Sequence, residues 1–254
     1  ARREGSLENI LCARPDLTAR KASTWASPNE YYDSQAIVNA ARLYLNAGKA
    51  EGRALTSQPT YRYDLADLCR QVLADRARTT LARCKSAYDS KDAAAFRRES
   101  TAFLQLIRDS AKVLATSEYF LLGRFIEGAR NRATTPQDAD AMEVSLRRLI
   151  TTWRPDISLL NNYSHRQFAE MMEHYYLPRW QVYFEARMQE LNGGTPEHQQ
   201  IVRETTTNNG ERVETVTVRN LRIEAIELAF PTADIPMLTK PEGDIIQLAE
   251  RILR

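Results

Sequence analysis

Two runs of helical periodicity separated by three residues constrain this chain more than any other feature. From Tyr63 to about Ser90, Leu65, Leu68, Cys69, Val72, Leu73, Leu81, Cys84 and Tyr88 recur at the three- and four-residue spacing of one helix face. From Asp92 to Ala115, Phe96, Phe103, Leu104, Ile107, Ala111 and Leu114 do the same. The break at Asp89 to Lys91 leaves room only for a tight reversal, so the spacing predicts an antiparallel helix pair. Glycine is scarce, 9 of 254 residues, against the ~7 % of an average protein. That suits helix, and it removes phosphate-cradling loops: neither G-x-G-x-x-G nor G-x-x-x-x-G-K is present.

The rest of the chain extends the same pattern. Residues 1–28 lack sustained periodicity and read as an extended lead-in, with Trp25 as a packing anchor before the first helix. Asn29 to Ala47 carries a stripe at Ala36, Ala40, Leu43, Tyr44 and Ala47; Gly48 supplies a stop, and a loop follows to Pro59. Glu118 to Arg132 is apolar at Phe120, Leu121, Leu122, Phe125 and Ile126, which predicts the central, most buried helix. Thr135, Pro136 and Asp138 form a helix start, and that helix runs to Trp153 before Pro155 prevents its continuation. The next begins near Ser164, is kinked at Pro178, and ends at Gly193–Gly194. β-Branched residues alternating with charges around Asn209–Gly210 predict a hairpin. Two closing helices, about 221–230 and 244–253, complete an all-α bundle of about eight helices with a β-hairpin arm near residues 200–219. The organisation expected is a lead-in over 1–28 and one helical domain over 29–254.

Charge and composition exclude several functions. Lys plus Arg number 35 against 33 for Asp plus Glu, a balance of +2, which disfavours nucleic acid as a partner. No apolar run reaches the roughly 18–20 residues of a membrane span. The first residues are too charged for a signal-peptide core, so the expectation is a fragment or a separately produced domain. Cys12, Cys69 and Cys84 are too few and odd in number for a disulfide framework, and Cys69 and Cys84, on the apolar side of one helix, read as small core residues. His165, His174 and His198 show no ligand spacing with cysteines, so neither a metal nor a cofactor is implied. The acidic groups Asp64/Asp67 and Asp138/Asp140/Glu143 read as caps and solvated helix faces rather than a catalytic pair. One junction remains, where Trp153 ends one helix and Tyr163 precedes the next, with Asn161 and Asn162 between them. It reads either as a concave, polar-edged spot for a small polar ligand or as a helix end whose tryptophan is simply core.

Around that junction the residues Glu143, Arg147, Thr151, Trp153, Tyr163, Arg166, Gln167, Tyr175, Tyr176, Pro178, Arg179 and Trp180 form a pattern that resembles the C-terminal region of glycoside hydrolase family 89, the α-N-acetylglucosaminidases. YRYDLADLCRQVL from Tyr61, the run at Ser86 to Asp92, FLLG at Phe120 to Gly123, and the C-terminal PEGD segment extend the resemblance over nearly the whole chain, weakest at Thr195 to Val218. It implies a helical domain that packs against a (β/α) barrel. The barrel, not this chain, carries the two catalytic glutamates, so no catalytic residue is carried over. It also implies terminal α-linked N-acetylglucosamine glycans as ligands, removed with retention, in a periplasmic or extracellular setting (lysosomal in animals). On the resemblance, Trp153, Tyr163 and Asn162 lie at the sugar, Leu160 lines the edge between them with Leu159 as its alternative in a loop one residue longer than the pattern, and Arg147 with Glu143 supports the loop; the alternative reading of that pair is exposed helix charge. A non-catalytic carbohydrate-binding module and a helical interaction scaffold are the rival classes. Three departures stand out: Arg154 where the pattern has glycine, Asn162 for a carboxylate, and His165 for an amide. A large apolar surface is expected where the barrel docks, bordered by the Trp153 loop.

Overall fold

The structure, a computed structural model, describes residues 8–23, 26–29, 31–153, 164–195, 199–208 and 211–254, with the hairpin over 199–208 and 211–218 described through its backbone alone. The helices are α1 (Ser34–Glu51), α2 (Arg53–Thr56), α3 (Pro59–Asp89), α4 (Ala93–Ala115), α5 (Leu122–Arg130), α6 (Pro136–Leu149), α7 (Ala169–Met171), α8 (Leu177–Leu191), α9 (Leu221–Ala229) and α10 (Ile245–Ile252). Strands β1 (Gln199–Asn208) and β2 (Glu211–Asn220) pair antiparallel from Gln199↔Asn220 to Asn208↔Glu211. The all-α bundle and its hairpin arm are as the sequence predicts.

Local chemistry explains the boundaries. The reversal between α3 and α4 takes a left-handed step at Lys91 (φ 58°), and Asp92 then accepts the N–H of Ala95 at 2.9 Å, capping α4. Thr135 caps α6 by accepting the Asp138 N–H at 3.1 Å, ahead of Pro136. Between α7 and α8 the helix widens into one π turn over Met172–Tyr176, where Leu177 N–H reaches back to the Met172 carbonyl. That wide turn sits just before Pro178, which lacks the N–H that an unbroken α-helix would aim at residue 174.

Four expectations are corrected. Gly48 does not stop α1; it lies within it, because a Cβ there would come 2.0 Å from the Tyr61 hydroxyl. The stripe Ala36, Ala40, Leu43 and Ala47 faces outward, with Leu43 71 % exposed. The buried face is Ala41, Leu45 and Gly48, supported by Ile37, Val38 and Tyr44. Both faces of α1 are apolar, and the larger side chains took the core. The segment 118–132 is a 3-10 turn (Glu118–Phe120) followed by α5, and α5 is peripheral: Leu122, Gly123 and Ile126 are buried while Phe125 is 52 % exposed. The helix predicted from Ser164 begins only at Ala169.

The centre is instead built by α3, α4 and α8. Phe103 packs at a tilt against Trp180 (centroids 4.5 Å, 54° between planes) and meets Phe184 edge-on (5.6 Å), with Phe96 beside it. Ile10, Leu11 and Cys12 form a 3-10 turn fully buried in this cluster. Trp180 donates its indole N–H to the Leu11 carbonyl at 3.1 Å. Arg179 is wholly buried: it pairs with Glu227 at 2.8 Å, reaches the carbonyls of Cys12 (3.3 Å) and Ala13 (3.1 Å), and lies 4.3 Å over the Tyr175 ring. Cys12, Cys69 and Cys84 are buried thiols, each pushed up to about 12 by burial.

Removing one member of the buried pair leaves the other charge stranded. Glu227→Ala is therefore expected to cost about 3–5 kcal/mol, read as a lower urea midpoint at unchanged slope. Nearby, Arg219 holds the Glu224 carboxyl below the ordinary glutamate range, with Arg14 adding to the effect. Its contribution is complete above about pH 4.3 and is lost as the pH falls through the lower folded value. Acid titration of Arg219→Met should show a shallower loss of stability over that window than the parent chain.

Candidate functional site

The site region begins on α6. Arg147, only 4 % exposed, pairs with Glu143 one turn earlier and donates to the carbonyls of Ala233 (2.5 Å) and Phe230 (3.3 Å). Glu143 is shared with Arg130 from the end of α5 at 2.8 Å, and Arg130 also reaches Asp140 at 2.8 Å. The two groups are thus an interlocked ion pair between three segments, not solvated helix charge. Thr151, buried, donates its hydroxyl to the Arg147 carbonyl at 2.7 Å.

After Leu149 the chain leaves the helix through a wide turn in which Trp153 N–H reaches the Arg148 carbonyl at 2.7 Å. Trp153 itself takes φ 65°. A bulky L-residue in the left-handed region costs on the order of 1–2 kcal/mol and persists only where its surroundings impose it. The indole is 40 % exposed. Of the other predicted contacts, Tyr163, Leu160 and Asn162 lie outside the described residues, as does Arg154.

Downstream, Ser164 to Phe168 is held by long-range bonds. Tyr176 donates its hydroxyl to the Arg166 carbonyl at 2.8 Å, Asn9 donates to the Gln167 amide oxygen at 2.8 Å, and the Phe168 ring meets Phe125 at 5.0 Å. Glu170 is a feature that sequence reasoning missed. Its buried carboxylate accepts the N–H groups of Leu122 (2.9 Å), Gly123 (2.9 Å) and Leu238 (3.0 Å). It caps α5 from 48 residues away, supplying the negative charge that a helix start favours. Gly123 is required there, because a Cβ would lie 2.4 Å from the Leu238 carbonyl oxygen. No local pattern announces such a cap.

Three large apolar side chains of α5 and α6 are exposed. Met142 and Leu149, seven residues apart and so on one stripe of α6, are 39 % and 47 % exposed, and Phe125 projects from the neighbouring α5. The acidic groups considered for catalysis are otherwise engaged: Asp64 with the Tyr44 hydroxyl (3.0 Å), Asp67 with Arg70 (2.7 Å), Asp138 with Thr134 and Thr135. Among the described residues no cluster of three or more His, Cys, Asp or Glu is arranged for a metal, and no helix is long and apolar enough to cross a membrane.

Residues 1–254 match the model of the alpha-N-acetylglucosaminidase (NAGLU) C-terminal domain. The human alpha-N-acetylglucosaminidase is 28 % identical over 234 residues, covering 92 % of this chain and 28 % of that protein. Among solved structures, a family 89 glycoside hydrolase from Clostridium perfringens in complex with PUGNAc superposes with a TM-score of 0.78 at 26 % identity, over 97 % of this chain and 26 % of the other. A doubly substituted form of the Clostridium perfringens enzyme, bound to its substrate GlcNAc-alpha-1,4-galactose, superposes with a TM-score of 0.80 at 26 % identity and the same coverage. The chain therefore spans about a quarter of the length of these relatives.

Replacing Arg147 by Met keeps the bulk and removes the donors to Phe230 and Ala233. Two carbonyls lose a charged donor, so destabilisation by about 1–3 kcal/mol is expected, with faster proteolysis over residues 230–238. Unchanged stability would mean the pair contributes nothing net.

Proposed function

The chain belongs to the alpha-N-acetylglucosaminidase C-terminal domain family, and on that premise we propose that it forms one wall of a sugar pocket completed by a (β/α) barrel domain. The complete enzyme would remove terminal α-linked N-acetylglucosamine from glycans with retention, in the periplasm or outside the cell. Retention calls for two carboxyl groups about 5–5.5 Å apart, one as nucleophile and one as acid/base. Both are assigned to the barrel, and none to these 254 residues.

The observation that carries this reading is the Trp153 indole, presented in a left-handed backbone at the end of α6 and 40 % exposed. A flat apolar ring at a polar edge suits the C–H face of a pyranose. Tyr163 is assigned the hydroxyl that meets a sugar hydroxyl, with Leu160 and Asn162 at the pocket edge. Arg147 and Glu143 hold the loop's approach; they do not touch the sugar. The apolar strip at Met142, Leu149 and Phe125 is the surface assigned to the barrel. A purely packed Trp153, which a helical scaffold requires, agrees less well with its exposure.

Hydrolysis of an aryl α-N-acetylglucosaminide tests the proposal. The chain alone should give no turnover, and turnover should appear once it is joined to its barrel. In the joined protein Trp153→Ala should raise KM about tenfold, the loss of roughly 1.4 kcal/mol of binding. Turnover by the chain alone, surviving re-purification, overturns the assignment of the acids. Sugar affinity of the chain alone, without turnover and abolished by Trp153→Ala, replaces it with a carbohydrate-binding module.

A further inference from the structure

Helix α9 is built the wrong way round for a surface helix. Its inward face carries Ile223 with two buried carboxylates, Glu224 and Glu227. Arg219 and Arg14 hold Glu224, and Arg179 holds Glu227. Leu221, Ala225 and Leu228 recur at the four- and three-residue spacing of a single stripe, and all three are exposed, the leucines by 41 % and 45 %. A lone exposed leucine needs no explanation. A helix that turns its acids inward and its leucines outward does, because burying a carboxylate costs far more than leaving it in water unless it is paired. The acids answer the arginines packed against them, and the leucines are left for a different neighbour.

Size and position say what covers the stripe. Two leucines and an alanine offer only a fraction of the roughly 800 Å² per partner that stable association of separate molecules uses. A domain joined through the same backbone meets the stripe at high effective concentration and needs no such area. In the human and Clostridium perfringens relatives about three quarters of the length lies outside the matched part. The stripe also adjoins the strip already assigned to the barrel. α9 runs straight into the Phe230–Thr232 turn, and the Phe230 carbonyl accepts from Arg147 on α6. Leu228 stands two residues before Phe230 and Leu149 two residues after Arg147, so each exposed leucine is within about 7 Å of backbone from that one anchor.

We propose that Leu221, Ala225 and Leu228 of α9 form a second docking face for the barrel domain, continuing the Met142, Leu149 and Phe125 strip across the Arg147 anchor. The surface it fits is a short run of aliphatic or aromatic side chains with a polar edge opposite Arg222 and Glu185, which pair at 3.2 Å. The identity of the partner rests on the pocket-wall reading; the test does not use activity.

Hydrogen exchange read by mass spectrometry, on the chain alone and on the protein joined to its barrel, tests it. Residues 221–229 should exchange about tenfold more slowly in the joined protein. Leu228→Glu should restore the faster rate there, since docking would bury an unpaired charge. The same substitution should leave the thermal midpoint of the chain alone unmoved, as surface changes do. Leu43→Glu, at the exposed leucine of α1, is the control and should leave 221–229 protected. Equal exchange in the two proteins, protection that survives Leu228→Glu, its loss in Leu43→Glu, or a lowered midpoint of the Leu228→Glu chain alone would each overturn the proposal. So would a dimer of the chain alone, seen by sedimentation and dispersed by Leu228→Glu, which gives the stripe to a second copy. Should Trp153→Ala leave KM unmoved, the sugar wall falls while the exchange pattern still decides the role of α9.

Discussion

The structure depends on one guanidinium. Arg179 is fully buried, and its desolvation is offset by Glu227 on α9, the carbonyls of Cys12 and Ala13, and the faces of Tyr175 and Tyr176. These partners come from three distant parts of the chain. A buried pair of this kind contributes little beyond what a well-packed apolar cluster would, but it penalises every arrangement that leaves the charge unpaired. The N-terminal segment, the π turn and α9 are fixed relative to one another for that reason. Trp180 extends the same junction with a hydrogen bond to Leu11.

Much of the architecture was legible in the sequence, and where it was not the reasons are physical. The long amphipathic runs of α3 and α4, the Thr135–Pro136 start of α6 and the hairpin around residues 209–210 each combine periodicity with a specific capping or turn chemistry, so their signals reinforce one another. α1 shows the opposite case. Period alone identifies a helix, but with apolar residues on two adjacent faces it cannot choose which one is buried; side-chain size did. The Phe120–Ile126 run misled because apolar content was read as depth, whereas Phe125 serves a surface. Gly48 has the look of punctuation in the sequence but is clearance for Tyr61 in the structure.

The candidate site was legible in part. Spacing put Glu143, Arg147 and Trp153 at the end of one helix, and the structure pairs the first two. The groups that brace the region from elsewhere gave no signal. Glu170 meets Leu122 and Leu238 across 48 and 68 residues, and Asn9 meets Gln167 across 158. Hydrogen bonds of that range leave no periodicity, because any polar residue at the right point in space would satisfy them. The positive φ of Trp153 was equally hidden, since a tryptophan is the last residue whose backbone one would assign to the left-handed region.

The burial of Ile10, Leu11 and Cys12 has a consequence for how the molecule comes into being. Their hydrogen-bonding partners on α8, Arg179 and Trp180, are made some 165 residues later. At ordinary synthesis speeds of roughly 5–20 residues per second, these contacts to α8 form on the order of ten seconds or more after the turn is made, whereas α3, which also packs against it, is made well before α8. Burial of this turn against the aromatic helix is therefore a late, long-range closure, and the apolar groups it covers are an aggregation hazard until α8 has been made.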